Sequence, residues 1–225
     1  MKLSAKMWVA ILLFAVVEAA GVERNAAWVL SRQVHHFSIG QTSVLDALLW
    51  FGHDQGVCFG IEFSGPDLSR TVQVVADMTT VGEVVKEILG RSDAYLLSVS
   101  DGVILIRKKG IRPSVWLDYR IPQFDLPKIE LISADVALAN RLELELNPTI
   151  KGFAGDSPGT EPIDEVGPFH LRGETVRQIL VRIMAASRGA SWFPTDTRGI
   201  APFPASINRF WTFVTYSGSS ANRPK

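Results

Sequence analysis

Thr80-Val-Gly-Glu-Val-Val-Lys-Glu-Ile-Leu89 decides how this chain is to be read, and an altered copy, Thr175-Val-Arg-Gln-Ile-Leu-Val-Arg-Ile-Met184, returns near the C-terminus. In both stretches apolar residues fall at i, i+3, i+4, i+7 and i+8: Val81, Val84, Val85, Ile88 and Leu89, then Val176, Ile179, Leu180, Ile183 and Met184. That spacing predicts a helix with one buried stripe. Each copy also opens on a capping box, Thr80 with Glu83 and Thr175 with Gln178, which can satisfy the N–H groups a helix start leaves unpaired.

Outward from the first copy, Thr71 to Ala76 reads as a strand running into the helix, and Val57, Phe59, Ile61 and Phe63 alternate with Cys58, Gly60 and Glu62 as a strand with one buried face. Ser43 to about His53 has a clustered apolar side and a weaker cap, Ser43 with Asp46, and predicts a helix ended by Gly52 or Gly56. Before it, His35 to Ile39 predicts a short strand closed by Gly40, and Glu23 to Val34 a short helix. Downstream, Tyr95 to Val99 and Val103 to Arg107 flank Asp101-Gly102, a hairpin signal because a type I′ turn needs positive φ at both central positions. The order is β-α-β-β-α-β-β.

Around the second copy, Lys128 to Ile132 predicts a strand and Ser133 to about Arg141 a helix. Leu142-Glu-Leu-Glu-Leu146 fits either a strand or more of that helix. Asn147 to Pro168 predicts a long acidic loop, and Phe169 to Arg172 a strand. Gly189 to Phe193 and Phe210 to Tyr216 stand where the hairpin strands stood, with Pro194 to Asn208 in place of the tight turn. The two helices lie 95 residues apart, and strand, helix, strand and strand recur in order at that offset, which predicts a looser duplication. The expected architecture is α+β: residues 21–110 as one unit, 111–127 as a proline-bearing linker, 128–217 as a diverged second unit and 218–225 as a disordered tail.

The first unit, over about residues 35–109, resembles the secretin and TonB N-terminal domain family. The carriers are Ser43-Val-Leu-Asp-Ala-Leu-Leu49, the run from Val72 to Leu89, and Tyr95-Leu-Leu-Ser-Val-Ser-Asp-Gly-Val-Ile-Leu-Ile106. The resemblance implies a cofactor-free protein-contact module of the cell envelope. It departs from the family in one large respect, since no barrel, plug or secretin segment follows and 225 residues of this pattern cannot supply a barrel's strands.

Composition agrees with a packed protein: 47% apolar and 20% charged residues permit a substantial core. A net charge of zero leaves no electrostatic footprint for nucleic acid. Residues 1–20 read as a secretory signal, with Lys2 and Lys6, an apolar run from Met7 to Val17 and small residues at Ala19 and Ala20. That run falls short of the ~20 residues that span a bilayer, so membrane contact is expected only through an uncleaved signal. The expected location is the periplasm, the cell envelope or the extracellular space.

Cys58 is the single cysteine, so no intramolecular disulfide forms. As a nucleophile it would need a partner such as His53 to take its proton, and no known cysteine-enzyme motif surrounds it. Alternation puts it on the face opposite Phe59, which predicts an accessible thiol. His35 and His36 point to opposite sides of a strand and cannot easily share an ion with His53 or His170. No cofactor is expected. The expected function is binding to other envelope proteins through a strand edge or helix face. Arg107, Lys108 and Lys109 on one side and Asp156, Glu161, Asp164 and Glu165 on the other supply the recognition charges. The alternatives are an envelope enzyme using Cys58 or a histidine cluster, and a structural subunit of a secretion-type complex.

Overall fold

The computed structural model describes residues 27–146, 165–187, 190–194, 205–207 and 211–214. The signal sequence, the tail and Asp156, Glu161 and Asp164 lie outside them. The fold is mixed α+β.

After a helical turn at residues 27–31, β1 (Gln33–Ser43) leads into α1 (Val44–Gln55), β2 (Phe59–Ile61), the short α2 (Pro66–Ser69), β3 (Thr71–Thr80), α3 (Val81–Ile88), β4 (Tyr95–Ser100) and β5 (Val103–Lys108). The expected order holds. The helix expected to run to Val34 ends at Ser31, because Gln33 and Val34 already belong to β1, which runs through Gly40 to the cap of α1 with an irregularity between Ile39 and Thr42. Ser43 accepts from the Asp46 N–H, and Gly56, at φ 59°, ends α1. Gly52 stays inside the helix, where a Cβ would stand 2.6 Å from the Val57 carbonyl oxygen. Asp101 and Gly102 both take positive φ in the β4–β5 turn.

The second half holds a 3-10 turn (Val115–Asp118), β6 (Arg120–Leu126), β7 (Ile129–Glu130), α4 (Leu131–Leu146), β8 (Glu165–Val166), β9 (Phe169–Thr175), α5 (Val176–Ala185), β10 (Ser191–Pro194), β11 (Ala205–Ile207) and β12 (Trp211–Val214). Here two expectations are corrected. Residues 111–127 are not a linker: Ile121, Phe124 and Leu126 are buried in β6, whose Pro122 is tolerated because β6 is one strand of a two-stranded ribbon. The stretch 128–132 is strand only at Ile129–Glu130, and α4 absorbs 142–146, with Leu138 and Leu142 on its buried side.

β1 pairs with β3 and β6 with β9 as antiparallel ribbons. Their registers correspond: Gln33 faces Thr80, and Arg120 faces Thr175. In each ribbon the first helical N–H reaches back to the residue before the first strand, Val81 to the Arg32 carbonyl (3.0 Å) and Val176 to that of Tyr119 (2.9 Å). The caps differ. Thr175 and Gln178 close a full capping box, whereas Thr80 receives the Glu83 N–H alone and the Glu83 carboxylate turns to Lys86.

The halves are not two beads. One six-stranded sheet, ordered β11-β12-β10-β2-β5-β4, runs through both, joined where β10 meets β2 in parallel with Trp192 opposite Gly60. Phe59, Ile61, Ile104, Ile106 and Phe193 face one core, built with α1, α3 and the β1–β3 ribbon. Cys58, Val103, Leu105, Trp192 and Trp211 face another, built with α4, α5 and the β6–β9 ribbon. The layers are therefore ribbon, helices, sheet, helices, ribbon. A strand buried on both faces has no polar alternation, which is why Val103-Ile-Leu-Ile106 is apolar throughout.

Candidate functional site

Glu62 follows β2 with its carboxylate fully buried, a costly place for a charge unless it is paired. Arg107 of β5 reaches it through Nε (2.8 Å) and a second guanidinium nitrogen (3.3 Å), and Arg177 of α5 through Nε (2.7 Å). Arg177 also holds Asp118 of the 3-10 turn. Burial lowers the Arg177 pKa, but its hydrogen bonds to Glu62 and Asp118 outweigh that and the net shift is upward. This cluster clamps the two halves together; it is a structural staple rather than a reacting site.

Arg107, expected to recognise a partner, is thus committed to an internal carboxylate. Lys108 is likewise bound to Asp67, which also accepts from the Tyr95 hydroxyl (2.8 Å). Those bonds from Lys108 and Tyr95 lower the Asp67 pKa. Lys109 is exposed and makes no ion pair among the described residues. Glu165 pairs with Lys128 at the start of the β7–β8 contact. The described charges therefore form no single recognition surface.

The thiol of Cys58 is buried, not accessible: its Sγ lies 3.4 Å from the Met184 carbonyl and 3.9 Å from Ser187 Oγ. The face opposite Phe59 is covered by the second half, a layer that the local alternation does not announce. His36 pairs with Asp77, and His170 with Asp125, which also binds Arg172. Among the described residues no three metal-ligating side chains converge, and no helix is long and apolar enough to cross a membrane.

The open feature is the end of the sheet. β4 has β5 on one side and, among the described residues, no strand on the other. The Lys109 N–H donates to the Ala94 carbonyl (2.7 Å), which fixes the phase of this antiparallel ladder. Residues 96, 98 and 100 exchange hydrogen bonds with β5, while 95, 97 and 99 turn their backbone groups outward. The Tyr95 N–H is taken up by Ser92 (3.4 Å), so the N–H and C=O of Leu97 and Val99 point away from the sheet at its rim. Alongside Leu97 runs a groove of about 780 Å³, walled by α3 at Gly82, Glu83 and Lys86, by Leu89 and Arg91 just past it, by the turn at 27–31 through Leu30, and by Tyr95. Tyr95, Leu97 and Val99 are half-buried on the core there, and Leu96 is exposed on the other face.

Sequence reading missed this edge because β4 alternates as any half-covered strand does, and strand order is not a local property. Compared with family models, with curated proteins and with solved structures, the chain finds no match.

Proposed function

We propose that this chain is an exported protein-binding module of the cell envelope that accepts an extended segment of a partner as a seventh strand on β4. The observation that carries it is the outward backbone of Leu97 and Val99 on one edge, with Leu97 beside a groove that has an apolar floor and a charged rim. Edge groups of this kind supply main-chain hydrogen bonds to an added strand, and the groove supplies pockets for its alternate side chains. The order β1-α1-β2-β3-α3-β4-β5 is consistent with the resemblance to secretin and TonB N-terminal domains, whose role as contact modules supports the envelope setting. The charged and apolar runs of residues 1–20 support export.

The test is a photo-reactive residue at Ser98, which is exposed on β4, used in intact cells with and without Val99→Pro. Proline at 99 removes an outward donor and no bond to β5, so the fold is kept and strand addition is blocked. A cross-link to a partner that disappears in Val99→Pro, and in Ser92→Trp where an indole occupies the groove, is expected. Cross-links unaffected by both substitutions would sink the reading.

A further inference from the structure

The second half contains the same kind of site, already filled. Each helix of the opening pair is followed by a strand, β4 after α3 and β10 after α5, and the outer edge of β10 is covered by β2. At the offset of 95 residues that relates Thr80 to Thr175, Leu89 corresponds to Met184, Ser92 to Ser187, Leu97 to Trp192 and Gly82 to Arg177. Every one of those second-half residues touches the segment 58–62. Cys58 meets Met184 and Ser187, Gly60 lies opposite Trp192, and Glu62 binds Arg177. Their counterparts Leu89, Ser92, Leu97 and Gly82 all wall the open groove beside β4. One chain thus displays both an occupied and an open form of the site.

The occupied form fixes direction. Segment 58–62 enters at the C-terminal end of α5, runs parallel to β10 and leaves at the N-terminal end of the helix. It also fixes side-chain size. Cys58 is small where it crosses the end of α5, and position 60 is glycine because a Cβ there would stand 2.9 Å from the Trp192 ring. In the first half the smaller Leu97 replaces that indole, and the space it releases belongs to the groove. Where Arg177 binds a carboxylate, Gly82 instead lies against the Leu30 carbonyl, so no acidic residue is called for.

Resting on the strand-addition reading above, we infer that the partner segment lies parallel to β4, with a small side chain over Leu89 and Ser92 and a large apolar one two residues later over Leu97. The probe is a synthetic peptide copying residues 57–63 with Cys58→Ser, Gly60→Leu and Glu62→Gln, carrying a nitroxide at its N-terminus or its C-terminus, added to the full chain and followed by amide NMR. The expected result is a shift of the Leu97 and Val99 amides, with Ser92 and Tyr95 broadened by the N-terminal label and Ser100 and Gly102 by the C-terminal one. A peptide with Trp in place of the small residue binds about tenfold more weakly, through overpacking.

Reversed broadening, or equal binding of the Trp peptide, overturns the inferred orientation or size rule and leaves strand addition standing. A silent β4 overturns the inference, and so does displacement of β2 seen at the Trp192 indole. If the cross-links lost in Val99→Pro persist, that failure concerns only the partner's chemistry; if they too are absent, strand addition itself fails.

Discussion

Gly60 carries more of the assembly than its size suggests. Its missing Cβ would lie 2.6 Å from a Leu105 methyl and 2.9 Å from the Trp192 ring, so Gly60→Ala pushes apart the seam between the halves. A loss of about 1–3 kcal/mol is expected in urea unfolding, with the fold retained. Cys58 lies on the same seam: its thiol is expected to resist a disulfide-exchange reagent in the native protein and to react on unfolding. Tyr95 titrates late. Burial, then its hydrogen bond to Asp67, pushes its pKa from 10.0 up to about 12. A raised folded-state pKa contributes stability that is present below pH 10 and lost as pH rises toward 12. Ultraviolet titration should show a late-ionising tyrosine that Tyr95→Phe removes. None of these roles was legible from the residues alone, because each depends on a neighbour from the other half or from an element distant in sequence.

At the scale of elements the sequence was far more informative, since helix stripes, caps and the Asp-Gly turn act within a few residues. The two signature helices form where the spacing puts them, and their caps make a comparison possible. Thr175→Ala removes the acceptor of the Gln178 N–H and the hydroxyl's own bond to the Gln178 side chain, leaving the backbone half of the box, and Thr80→Ala removes a single bond. Each should cost about 1 kcal/mol, the larger loss at Thr175, as read from shifts in denaturation midpoint. Where local rules have two outcomes, the residues alone leave the choice open or point the wrong way. Leu142 to Leu146 alternates in type, yet continues the 3.6-residue stripe of α4, and burial of Leu138 and Leu142 decides for the helix. Pro122 suggested a linker, but a ribbon strand has an unpaired side that needs no N–H. The run Val103 to Ile106 did carry the signal of a second covering layer, through its lack of alternation.

Over the whole molecule, the shared sheet and the Glu62 clamp make the halves interdependent. Glu62→Ala strands Arg177 and Arg107, and because both guanidiniums keep some solvent, a loss near the lower end of ~3–5 kcal/mol is expected in a single cooperative transition. Two separate transitions in the unaltered chain would contradict the common sheet. Residues 27–110 expressed alone expose Val103, Leu105 and Cys58, and are expected to aggregate unless the second half is supplied in trans.

The parallel seam between β2 and β10 also sets an order of events. Cys58 and the Met184 carbonyl it meets are 126 residues apart, and β5, the other neighbour of β2, arrives long before β10 does. Made from its N-terminus, the chain can close its first core early, but it must hold one bare sheet edge and one bare face until nearly its last strands exist. Such long-range closure is slow and leaves a sticky intermediate. Under the proposed export, a chain threaded unfolded across a membrane would meet this interval on the far side, with the edge of β2 still uncovered.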